Sequence, residues 1–143
     1  MALLAAVTIG GVVAVQAPLN SALGRTVGGV QASVIALGVS FLALIALAAL
    51  AGGYGGLARV GDAPLHVLVG GGLIGALYVG SIVFTVRALG AGGLTAATIS
   101  GQLAVAVAID HFGWFGVARS PVSAVKILGI ALLALGTYLV VRD

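Results

Sequence analysis

The chain has 143 residues, of which 62% are hydrophobic and 6% charged; six Lys or Arg against three Asp or Glu give a net charge of +3. Soluble globular domains carry charge on about a quarter of their residues, so this composition excludes that class and leaves an integral membrane protein. The basic residues stand singly, without the stripe that a nucleic-acid partner requires, and the absence of cysteine excludes disulfides.

Uncharged runs cover residues 1–24, 26–58, 66–86 and 88–109, and each is long enough to cross a bilayer, which takes roughly 20 apolar residues. The runs do not alternate in polarity as the strands of an outer-membrane barrel do. They predict an all-α membrane fold, a single transmembrane domain over 1–143 with helices near 2–23, 30–51, 65–88, 94–112 and 122–141. Its connectors GRTVGG, GGYGGLARVGDAP, LGAGG and GWFGVARSP are rich in glycine and proline and leave no room for a soluble domain.

The first run lacks a basic leader and a convincing cleavage site, so it is expected to be a retained span. It contains VQAPLN, in which Gln16 and Asn20 are four residues apart and share a helix face. Between them Pro18 removes the donor that the Ala14 carbonyl needs, which predicts a bend. Two amides and a freed carbonyl serve either as interhelical hydrogen-bonding groups or as the lining of a solute pathway.

Tyr54 lies in the connector before the third helix, and Trp114, Phe115 and Tyr138 fall near other helix ends, where aromatic rings anchor at the membrane interface. In the third helix Gly72, Ala76 and Gly80 repeat every four residues and form a strip that admits close helix packing. The fourth carries Thr95, Thr98 and Gln102 on one face, with Asp110 two turns further on and about 80° away. Ser100 is expected to bond back to a backbone carbonyl. Asp110 is the one acid in or at the edge of a span; it is either a proton-coupling site or half of an interfacial ion pair with Arg119 or Arg87. In the fifth helix Gly129 and Gly136 share a packing seam, and Lys126 is placed to snorkel toward the headgroups.

His66 and His111 have no companions at metal-ligand spacing. No nucleophilic triad and no phosphate loop can be built. Neither a metal, nor a cofactor, nor an enzymatic activity is expected.

Five spans put the termini on opposite sides. Arg59, Arg119 and Lys126 then fall on the N-terminal side, and Arg25, Arg87 and Arg142 on the other. Because the bias of Lys and Arg between loops sets orientation, three against three predicts dual topology, although a short, lightly charged chain also balances by chance. Both orientations together make an antiparallel homodimer of ten helices, equivalent to the inverted repeats of larger transporters.

On VQAPLN, on LGAGGLTAATISGQLAVAVAIDHFG and on the closing KILGIALLALGTYLV, the chain resembles the YdcZ-like family of the drug/metabolite transporter superfamily, over most of its length. The resemblance implies five helices, a bacterial inner-membrane location and an antiparallel architecture, completed by a second copy or by an oppositely oriented paralogue. It carries Gln16, Asn20 and Gln102 over as pathway residues and Asp110 as a characteristic position. Related small multidrug exporters use a glutamate in the first helix, which this chain lacks. A site of amides and hydroxyls suits a neutral or zwitterionic polar solute. The expected function is transport of a small polar solute by alternating access, with membrane lipid, a second copy and the solute as partners. A passive channel and a non-transporting accessory subunit are the alternatives.

Overall fold

A computed structural model of the chain describes residues 1–142. It contains α1 (Ala2–Val27), α2 (Gly29–Leu50), a 3₁₀ segment (Gly55–Asp62), α3 (Leu65–Phe112), a 3₁₀ turn (Trp114–Gly116) and α4 (Ala124–Arg142), with no strand among the described residues. All four α-helices are long and apolar enough to cross a membrane.

The 48 residues of α3 would form a straight rod about 72 Å long, more than twice the roughly 30 Å hydrocarbon core. The rod does not persist. Gly90 leaves helical geometry at φ 68°, ψ 173°, a region that only glycine enters without steric cost. It divides α3 into a first arm, 65–89, and a second arm, 91–112. Divided at Gly90, the chain has five long helical segments where five spans were expected, and the connector expected over LGAGG shrinks to one residue. Glycine lowers helix stability by only about 1 kcal/mol relative to alanine, so Gly92 and Gly93 stay helical where flanking turns support them. For the same reason α1 runs past the expected end at residue 23. Its stop is Gly28, at φ 95°, whose N–H closes onto the Gly24 carbonyl at 3.1 Å.

The chain divides into two compact units, Met1–Arg87 and the residues from Ala88 onward. In the first, Ala17, Asn20, Ser21 and Gly24 of α1 are buried, together with Ala32 and Ser33 of α2 and Val79, Ile82, Val83 and Val86 of the first arm. Small residues bring the backbones together: a Cβ on Gly24 would stand 2.9 Å from Val83 Cγ1, and one on Gly29 2.9 Å from Phe84 Cζ. Ser33 Oγ lies within bonding distance of two carbonyls, Gly29 at 3.1 Å and Val79 at 3.3 Å, the second across helices.

In the second unit the second arm and α4 pack antiparallel. Gly93 faces Val141, whereas Ala96 and Ser100 face Thr137, so the order along one helix reverses along the other. Most large apolar side chains elsewhere are exposed, and Val83 is the largest fully buried one. A chain that meets lipid rather than water pays no hydrophobic penalty for such a surface.

Candidate functional site

α1 continues as helix through Pro18, so the proline removes a donor without breaking the rod. The two amides that flank it part company. Asn20 is 8% exposed, whereas Gln16 is open. Helical geometry explains the split: the buried seam of Ala17, Asn20, Ser21 and Gly24 centres about 50° to one side of Asn20, and Gln16 falls about 40° to the other. Asn20 thus stands at the border between packed seam and open face. Its Nδ2 is fully enclosed and has no hydrogen-bond partner among the described residues. An unpaired buried donor costs about 1–3 kcal/mol, so this amide is not held in place by an interhelical bond.

One turn further along α1, Gly24 leaves room for the first arm: Arg87 Nη2 comes within 3.3 Å of where a Gly24 Cβ would stand. Exposed Gln16, buried Asn20 and the Arg87 guanidinium over Gly24 follow one another at four-residue steps along α1. That series runs from the middle of the span to its Arg25 end.

In the second unit Thr98 is half-buried and Gln102 exposed on the second arm. The polar contact formed there involves other residues. Thr137 Oγ1 donates to the Ala96 carbonyl at 3.1 Å, and Ser100 Oγ lies 2.6 Å from the same Thr137 oxygen. With one hydrogen per hydroxyl, Ser100 is the donor of the short bond. The expected back-bond of Ser100 to its own helix is therefore replaced by a bond to α4. Sequence reasoning passed over Thr137, although a hydroxyl in the fifth span opposite Ser100 was the available signal.

The corner between the second arm and α4 departs further from expectation. Arg119 donates through Nε to the His111 carbonyl at 2.9 Å and forms no ion pair with Asp110 among the described residues. Asp110 enters the corner through its backbone, accepting from the Ser120 N–H at 2.8 Å. Lys126 Nζ donates to Ser120 Oγ at 2.7 Å, to the Pro121 carbonyl at 3.2 Å and to the Ser120 carbonyl at 3.3 Å. These acceptors tie the ammonium to the turn that leads into its own helix.

A Cβ on Gly72, Gly80, Gly129 or Gly136 would meet no atom within 4 Å, and Ala76 is exposed. These strips therefore meet no packing partner among the described residues. An apolar groove of about 470 Å³, walled by Phe41 and Ile45 of α2 and by Tyr54 and Leu57 of the following segment, contains none of the expected pathway residues.

Over residues 1–139 the sequence matches the model of the family described as "Putative inner membrane exporter, YdcZ". The chain belongs to this family. It is an inner-membrane protein of an exporter family, a transporter rather than an enzyme. No curated protein and no solved structure matches it.

Proposed function

We propose that the chain exports a small polar solute by alternating access, as an antiparallel homodimer whose two copies insert in opposite orientations. The observation that carries the reading is the charge balance across five spans. Arg25 and Arg142 lie in the last turns of α1 and α4, and Arg59 in the 3₁₀ segment between α2 and α3. With Arg87 on the side of the first two and Arg119 and Lys126 on the side of Arg59, the count is three against three, which gives the membrane no preference for either insertion. Two inverted copies exchange conformations by symmetry, and inward-open becomes outward-open.

The pathway in this reading passes Gln16 and Asn20 of α1 and Thr98 and Gln102 of the second arm. Asn20 supports the role because its amide has no protein partner to give up, while a helix-bonding amide is found paired. Asp110 remains a candidate for coupling. The open strips at Gly72, Ala76 and Gly80 and at Gly129 and Gly136 are faces where a second copy packs.

Reporters that are active on only one side of the membrane, fused to the C-terminus, test the proposal. Signal from both sides is expected. Signal from one side alone, in cells without an oppositely oriented paralogue, overturns the homodimer. Counter-exchange in reconstituted vesicles separates a carrier from a passive channel, which cannot concentrate solute.

A further inference from the structure

The corner between the second arm and α4 contains one hydrogen bond that exists in a single protonation state. The Val122 backbone N–H donates to His111 Nδ1 at 3.2 Å. A backbone N–H is only a donor, so Nδ1 must present its lone pair and the ring proton must sit on Nε2. A second proton on the ring occupies Nδ1, and the Val122 N–H then loses its acceptor.

The surroundings amplify that loss. The charged residues of this corner, among the described residues, are Asp110 beside His111 in sequence, Arg119 on the connector and Lys126 on α4. Arg119 is bonded to the carbonyl of His111 itself, and Lys126 to Ser120 and Pro121. Protonation therefore adds a third cation to a corner whose one acidic residue, among the described residues, is Asp110. The connector is also built with left-handed residues: Gly113 at φ 69°, Phe115 at φ 57° and Gly116 at φ 78°. Phe115 is a bulky side chain in a region it seldom occupies, so the segment is retained by its ties and not by its own preference.

We propose that His111 is a proton-binding latch: the neutral ring ties Val122 to the end of the second arm, and uptake of one proton releases the connector that leads into α4. The link to export rests on the transport reading above; the latch itself does not.

The test is hydrogen–deuterium exchange of residues 113–122 in the full chain in lipid nanodiscs. Results are compared as protection factors at pH 8 and pH 5, which divides out the intrinsic pH dependence of exchange. Wild type is expected to lose protection about 2- to 10-fold at the lower pH, the value of one hydrogen bond. His111→Asn, whose side-chain oxygen replaces Nδ1 as an acceptor and does not titrate, is expected to keep protection at both values. Equal protection at both pH values in wild type overturns the latch, and so does an equal loss in His111→Asn, which assigns the effect to another group. ¹⁵N chemical shifts of the wild-type imidazole provide a check that needs no variant: at pH 8 a protonated Nδ1 overturns the proposal. Absence of solute flux in vesicles overturns the transport reading and leaves these outcomes standing.

Discussion

Gly24→Ala probes whether the α1 seam is as tight as the structure shows. The added methyl would stand 2.9 Å from Val83 Cγ1 and 3.3 Å from Arg87 Nη2. Val83 is 0% exposed and has nowhere to retreat, so the helices must separate by several tenths of an ångström. Such overpacking costs about 1–3 kcal/mol. Alanine recovers about 1 kcal/mol of helix propensity over glycine, which leaves a net loss of about 0–2 kcal/mol. Gly11→Ala in the same helix is the control, since a Cβ there meets nothing within 4 Å and only the propensity gain of about 1 kcal/mol applies. The difference between the two variants isolates the contact at about 1–3 kcal/mol, or roughly 5- to 150-fold in the unfolding constant. Gly29→Ala should fall between them, because its nearest neighbour, the Phe84 ring, is 54% exposed and free to swing. Unfolding in mixed micelles titrated with denaturing detergent measures all three. A gap below about 0.5 kcal/mol between Gly24→Ala and Gly11→Ala, the scatter of ordinary surface substitutions, refutes the packing described here.

Asn20→Leu removes an amide nitrogen that has no partner among the described residues, so stability in micelles should rise or fall by less than about 1 kcal/mol; a loss above about 2 kcal/mol would show that Asn20 is an interhelical bond after all. The Ser100 and Thr137 hydroxyls, 2.6 Å apart, should show a coupling of about 0.6–1.7 kcal/mol in a double-mutant cycle of Ser100→Ala with Thr137→Val, and additive losses would dissolve the network. Arg59→Ala leaves two basic residues on the N-terminal side against three on the other, so a larger share of molecules should place the C-terminus in the cytoplasm; an unchanged reporter ratio would remove charge balance as the determinant of orientation.

The spans were legible in the sequence because lipid imposes one requirement, about 20 apolar residues with every backbone group bonded internally, and residue composition reports it directly. Helix ends were less legible. Glycine signals a possible break and not an obligatory one: Gly28 and Gly90 take positive φ, while Gly92 and Gly93 remain helical. Which glycine yields depends on the packing of its neighbours, and this is absent from a one-dimensional pattern. The corner of residues 110–126 was illegible for a related reason. Asp110, His111, Arg119 and Lys126 were each visible as charged or titratable groups, and opposite charges invite pairing. The competing partners are backbone carbonyls and the Ser120 hydroxyl, whose directions exist only once the turn has formed.

The pairing of Gln16 with Asn20 shows where face-sharing arguments end. Two residues four apart lie about 40° from one another, near enough to be counted as one patch, yet a packed seam can end within that angle. Here it does: Asn20 is enclosed while Gln16 is open. The difference separates the roles the two amides can play. Gln16 is satisfied by whatever surrounds the open face, whether lipid-embedded water, a second copy or solute. Asn20 is closed in with an unpaired donor, a state whose cost is relieved when the seam opens and an acceptor enters. An amide that only glued helices would be most stable with the seam shut. In the transport reading proposed above, an acceptor that enters as the seam opens would bond this donor, whereas a helix-bonding amide would lose its partner.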